Sequence, residues 1–286
     1  MANKAQCFYC FESLWASFED DEPAKLATIE ALWEQYEQTK KLSEAQQQRD
    51  DGKVEDDESA TTSSSPSNNS SNSRLSSSTA MTTPNSLSSI TQKYPLFVTW
   101  NTISRNRRPS LRGCIGTFEA QDLATGLKSY ALTSAYDDTR FSPIPKSLIP
   151  SLSCSLTLLG SFEPCTNAMD WVLGTHGLRI SFINRGRRYG ATYLPDVAVE
   201  QGWTKEETIE SLMHKAGWEG SVRDGARRQR DTGNDGPGAT RPWDQVSDFR
   251  TVRYQGLKAK ADYAEWQEWR NWVLTLDDGR EILGSA

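Results

Sequence analysis

Residues 111–118 read LRGCIGTF, a strand-like run that holds two glycines, a cysteine and an arginine. Glycine weakens a strand interior because it packs nothing and loses the most backbone freedom on folding. Two of them within four residues mark a place where something approaches the backbone. Alternate side chains of a strand share a face, so Arg112, Cys114, Gly116 and Phe118 point one way and Leu111, Gly113, Ile115 and Thr117 the other. The first face sets a cation beside a thiol, with an empty position next to them. A free thiol has a pKa of ~8.5, and a neighbouring Arg raises its thiolate share near neutral pH. Cys114 is therefore the candidate catalytic residue, Arg112 the candidate anion binder, and Gly113, Gly116 and Thr117 candidate lining of a ligand site. The same run also fits plain packing: a buried Cys acting as a small hydrophobe and glycines that admit a helix or a bulge. Residue chemistry alone favours packing.

The hydrophobic period around the run decides the fold class. Leu96, Val98 and Trp100 alternate before it, and SRNRRPS (104–110) turns the chain back into Leu111 to Phe118, a hairpin. Leu123, Leu127, Tyr130 and Ser134 then form one helical stripe. In SLSCSLTL, Leu152, Cys154, Leu156 and Leu158 face one way and Ser153, Ser155 and Thr157 the other, a half-buried strand. Leu178, Ile180 and Phe182, then NRGRR, then Tyr189, Ala191 and Tyr193 read as a second hairpin. Thr204 with Glu207 is a capping box for a helix that ends at Gly217. Phe249 to Lys258 reads as a strand, Tyr263, Trp266, Trp269 and Val273 as an amphipathic helix, and DDGRE (277–281) as a last small hairpin. Hairpins interleaved with helices, without regular βαβ alternation, predict an α+β fold on a largely antiparallel sheet flanked by helices.

Ahead of this lies a front segment, 1–43, with two helical stripes: Phe8, Phe11, Trp15 and Phe18, then Leu26, Ile29, Trp33 and Tyr36. Residues 44–92, acidic and then Ser-rich, carry almost no large apolar side chain between Ser59 and Ser89 and are expected to be disordered. Such an insert does not exclude the front helices from the core, since closing ~50 residues costs only roughly 1.4 kcal/mol more than closing ~10. The main domain is expected over 93–275, with a flexible insert near 223–246 and a C-terminal tail or hairpin at 276–286.

The chain has 286 residues, a net charge of −6 and a mean hydropathy of −0.66. Residues 1–58 carry 6 Lys/Arg against 15 Asp/Glu, whereas 93–200 carry 12 against 8, so the acidity sits in the front and the expected sheet is locally basic. No apolar run approaches the ~20 residues of a membrane helix, the N-terminus lacks a secretion signal, and the five cysteines have no disulfide-framework spacing. A cytoplasmic or nuclear protein is expected, with no membrane partner. Cys7 and Cys10 make one C-x-x-C, half a zinc site; no second C-x-x-C or His pair completes it, so no metal site is expected. A Cys–His nucleophilic pair would need Cys114 and His176 to meet in space. DDTRF (137–141) offers Asp138, Arg140 and Phe141 as further ligand-binding candidates, or as a helix end with a surface ion pair. Arg105, Arg107 and Arg108, with Arg185, Arg187 and Arg188, make a phosphate-binding patch if the two hairpin turns share one edge, and otherwise solubilise the turns.

LRGCIGTF, YPLFVTW (94–100), LTSAYDDTRFSPI (132–144), HGLRISFI (176–183) and ATYLPDVAVEQGW (191–203) together resemble the AMMECR family, and CFYCFESL (7–14) resembles the N-terminal segment of its eukaryotic members. The Ser-rich insert, the insert near 225–246 and the Trp-rich C-terminal end depart from the pattern, as in a fungal-type elaboration. The resemblance implies an α+β fold in two subdomains with the motif strand near a cleft. It also implies a genomic association with Memo-type proteins, which resemble extradiol dioxygenases. No agreed reaction or cofactor comes with it. Three functions follow: a small-molecule site or enzymatic role at the RGCIG strand, an interaction module for a Memo-type partner, and a nucleic-acid-associated factor.

Overall fold

The structure, a computed structural model, describes residues 2–51, 93–104, 108–220 and 241–284. The Ser-rich stretch lies outside the described residues, as does most of the second insert. The first residues of the expected 44–92 insert continue a helix up to Asp51, and Pro242–Gln245 of the second form a short 3-10 helix.

The elements run α1 (Lys4–Glu19), α2 (Leu26–Asp51), β1 (Lys93–Ile103), β2 (Pro109–Asp122), α3 (Leu123–Tyr136), β3 (Leu152–Pro164), β4 (His176–Asn184), β5 (Arg187–Tyr193), α4 (Pro195–Glu200), α5 (Lys205–Lys215), β6 (Ser247–Asp262), α6 (Tyr263–Val273) and α7 (Gly279–Leu283). All six strands form one antiparallel sheet in the order β2-β1-β3-β6-β4-β5, which fixes the class as α+β. The capping box at Thr204 and Glu207 is present. DDGRE does not form a hairpin. Asp278 opens α7 instead, and Gly279 lies so close to the end of α6 that a methyl group there would meet the Val273 carbonyl at 1.9 Å.

One face of the sheet is covered. Leu96, Val98, Trp100, Cys154, Leu156, Leu158 and Ala261 point into a core closed by α1, α3 and α6. Phe11 packs edge-on against Trp100 and stacks on Trp266, and Phe8 stacks on Trp269. The front helix is thus an interior element, and it carries a buried ion pair. Glu12 accepts from Trp266 Nε1 at 2.8 Å and is bridged by Arg270, whose other nitrogen donates to the Leu283 carbonyl. Leu178, Ile180 and Phe182 form a second core with Ile209, Leu212 and Met213 of α5. The registers of β3 and β4 with β6, and of β5 with β4, place both cores on the same side of the sheet.

The opposite face therefore carries the other set of alternating positions: Cys114 and Gly116 of β2, with Phe118 against Phe97; Phe97 and Thr99 of β1; Ser155 and Thr157 of β3; Lys258 and Lys260 of β6; and Arg179 and Ser181 of β4. Arg112 is the extra residue of a register shift, so Leu111, opposite Asn101, turns to this face against the alternation expected from the sequence. α4 crosses it at one place, where Asp196 pairs with Lys258 and Pro195 lies over Gly256. Register shifts at Ser161 and Asp248, both with positive φ, bend β3 and β6. The curl brings the far end of β2 towards β4 and β5.

Candidate functional site

The RGCIG run lies on β2, the edge strand beside β1, and DDTRF follows α3. An edge strand leaves a row of backbone donors and acceptors without a ladder partner, and here side chains supply the partners. Asp138, 5 % exposed, accepts the Cys114 N–H at 2.8 Å through Oδ2. Arg140 donates Nη2 to the Cys114 carbonyl at 3.2 Å and grips Asp138 through Nε at 2.9 Å and Nη2 at 2.7 Å. Both backbone groups of Cys114 are thus held by one Asp–Arg pair. Phe141 lies under the guanidinium groups of Arg112 and Arg140, 6.0 and 5.4 Å from its ring centre.

The two glycines each make room for a group of this chain. A methyl group on Gly113 would fall 1.9 Å from the Ser134 carbonyl of α3, and one on Gly116 would fall 2.4 Å from the Phe97 ring and the Leu96 carbonyl. Ser134 then reaches into the β1–β2 ladder. Its hydroxyl accepts the Ile115 N–H and donates to the Val98 carbonyl, each at 2.9 Å, and these two residues face each other across the pair. The position that the sequence leaves empty at Gly116 is therefore filled by an aromatic ring from the neighbouring strand. Thr117 belongs to the helix-facing set, and its hydroxyl accepts the Glu119 N–H.

Cys114 is half-buried on the open face, and its Sγ accepts from the Thr99 hydroxyl at 3.1 Å. No histidine pairs with it. The His176 ring accepts the Val172 N–H in its own turn, and three strands separate β2 from β4. Arg112, Gly113, Cys114, Asp138, Arg140 and Phe141 come together; Gly116 lies under Phe97, and Thr117 turns to the other side. Cys7 and Cys10 are fully buried against Cys154, whose thiol pKa is pushed up by burial and by these two neighbours. Among the described residues, no group of three or more His, Cys, Asp or Glu side chains could hold a metal ion. The strand order leaves the β1–β2 turn, with 105–107 outside the described residues, at the opposite end of the sheet from the β4–β5 turn, so the two basic turns do not share one edge.

Hydrogen bonds from Arg140 hold the Asp138 carboxyl well below its ordinary 3.8, against the opposing effect of burial. A folded-state value below the unfolded one stabilises the fold above about pH 4, and that stabilisation is lost as pH falls through the lowered value. Asp138→Asn is expected to lower stability at pH 7 by about 1–3 kcal/mol, the cost of weakening charged hydrogen bonds to buried groups. In urea titrations from pH 7 to 2, the gap between the two proteins should close on the acid side of pH 4.

A hollow lies farther along the same face. A cavity of about 540 Å³ is lined by Phe118, Phe162, Arg179, Ser181, Thr192 and Tyr254, among others. Tyr254 lies over Gly177, where a methyl group would clash with its ring. Its hydroxyl donates to the Tyr193 carbonyl at 2.8 Å, and burial pushes its pKa up to about 12. Sequence reading missed this place. Arg179, Ser181 and Thr192 alternate with apolar positions as any solvent-facing residues do, and only the curl brings Phe118 to them.

Fold and site together define an α+β domain on a single antiparallel sheet, with an edge strand clamped by a turn and one face largely open. The AMMECR1 family model matches residues 65–230, more than half of the chain, and the chain belongs to that family. It is 46% identical over 138 residues to an uncharacterised protein of Arabidopsis thaliana, covering 48% of this chain and 64% of that one. It is 47% identical over 135 residues to an uncharacterised protein of Schizosaccharomyces pombe, covering 47% and 69%. The chain thus spans under two thirds of the plant protein's length. A solved structure of an uncharacterised protein from Pyrococcus horikoshii matches with a TM-score of 0.43 and 22% identity, over 64% of this chain and 80% of that one. No helix among the described residues is long and apolar enough to cross a membrane.

Proposed function

We propose that this protein binds a small molecule on the open sheet face along β2, with Cys114 as the reactive or ligand-contacting thiol and Arg112 beside it for an anion. The observation that carries this reading is the register: Cys114, opposite Thr99, stands on the face that both cores leave uncovered, and the hollow, lined by Phe118, opens on that same face. Asp138 and Arg140 act on the site through the β2 backbone, which they hold in place. Phe141 supports the two guanidinium groups above it.

Native mass spectrometry of the full chain, after incubation with a small-molecule extract of cells, tests the proposal. A bound species of defined mass is expected, and it should be lost when Cys114 is capped with iodoacetamide. Binding indifferent to the cap, or no bound species, counts against the site.

The interaction-module reading rests on a different surface. Val172, Leu173 and Val199 are exposed together near α4, where Gly174 comes close to Val199. On that reading, a complex with a Memo-type protein should survive Cys114→Ala and be lost with Val199→Asp; the reverse pattern contradicts it.

A further inference from the structure

The cavity between the far end of β2 and the β4–β5 hairpin has a chemistry of its own. Its volume of about 540 Å³ suits a small organic ligand. Two of its lining residues, Phe118 and Phe162, are 43% and 45% exposed, unusual for large aromatic side chains. Phe162 leans on Tyr254 with ring centres 5.1 Å apart, and Phe118 is braced edge-on by Phe97 at 5.1 Å. Both rings are thus held from behind with a free side.

The charges are not equivalent. Arg188 is engaged by Asp248 at 2.9 Å, whereas the exposed Arg179 has no ion pair or hydrogen-bond partner among the described residues. Ser181 follows it on the same face of β4, and Gly190 of β5 leaves bare backbone opposite Ser181. Glu119, on the β2 rim, repels an anion from that side. An acidic group is therefore directed to Arg179, and a flat apolar group to the phenylalanines.

We propose that this hollow binds a small organic anion with a planar apolar body, its acid group on Arg179 and its ring against Phe118 and Phe162. The inference rests on the open face being the binding face and names the ligand class for its lower end. Cys114 lies four residues up the same strand from Phe118, roughly 13 Å along the strand, so a ligand extending from the hollow towards β2's centre would approach the thiol.

Titration of the full chain with 1-naphthyl phosphate, followed by amide chemical shifts, tests this; 2-naphthol and inorganic phosphate serve as the two halves. Saturable shifts at Arg179, Ser181, Gly190 and Phe118 are expected. Each half alone should bind at least about tenfold more weakly, because neither engages both groups. Arg179→Gln should weaken naphthyl phosphate about tenfold through the lost charged hydrogen bonds, and Phe162→Ala about fivefold through the lost aromatic contact. Both side chains are exposed, so neither change should unfold the protein. An affinity unchanged by Arg179→Gln, or inorganic phosphate binding as tightly as the ester, overturns the proposal. Shifts confined to Thr99, Cys114 and Ser155 overturn it while leaving the open-face reading in place. A protein without shifts anywhere on the face contradicts both.

Discussion

Glu12→Ala is expected to destabilise the protein by about 3–5 kcal/mol, because truncating one partner leaves the other charge buried and unpaired. Glu12 and Arg270 are 3% and 6% exposed, and the pair joins α1 to α6 across the chain's two ends. The Trp266 indole N–H loses its acceptor in the same change. Urea denaturation would read the loss as a lower midpoint with an unchanged slope. Replacing both partners by apolar residues of similar volume should recover much of it, since burying an ion pair carries its own desolvation cost. A loss below about 1 kcal/mol, the scale of an exposed pair, would mean that α1 is not seated as described.

Gly113→Ala should be nearly as costly, about 3 kcal/mol or more, as a methyl group forced into a packed interface. Its neighbour at 1.9 Å is the Ser134 backbone carbonyl, which cannot rotate aside as a side chain can. The helix must shift, and Ser134 then leaves the Val98 and Ile115 backbone groups it joins. Ser134→Ala, which removes the hydroxyl without adding bulk, should cost less, about 1–2 kcal/mol. If Gly113→Ala were neutral by thermal unfolding, α3 would not lie on β2 at this distance.

These two changes mark what the residue pattern reveals and what it hides. The period-two runs through Leu96, Leu156 and Leu178, and the stripes at Leu123 and Trp266, point to the right elements because burial imposes those spacings directly. Gly113 and Gly116 read as close-approach positions, but a sequence does not say what approaches; the answers are a helix carbonyl and a neighbouring ring. Glu12 carries no such signal, because a lone acidic residue in an aromatic helix looks solvent-facing until Arg270, 258 residues away, is brought beside it. DDGRE misleads for a related reason: Asp-Gly is a turn signal, and here it opens α7 because Gly279 alone fits against the end of α6. The hollow depends on sheet curl, set by bulges at Ser161 and Asp248, two polar residues with no glycine to announce a positive φ. The Asp138–Arg140 clamp was legible as a pair, whereas its grip on the Cys114 backbone needed the edge position of β2.

On the proposed function, the RGCIG strand turns Cys114 to an open face where a ligand reaches the thiol. Peptide-resolved alkylation of the native protein at neutral pH separates an accessible thiol from a packed one. Cys114 should react at least about tenfold faster than the buried Cys7, Cys10 and Cys154, which need the fold to open first. A Cys114 that reacts only as fast as the three core thiols, on unfolding, would rule out a ligand site at the thiol and make the strand a packing element.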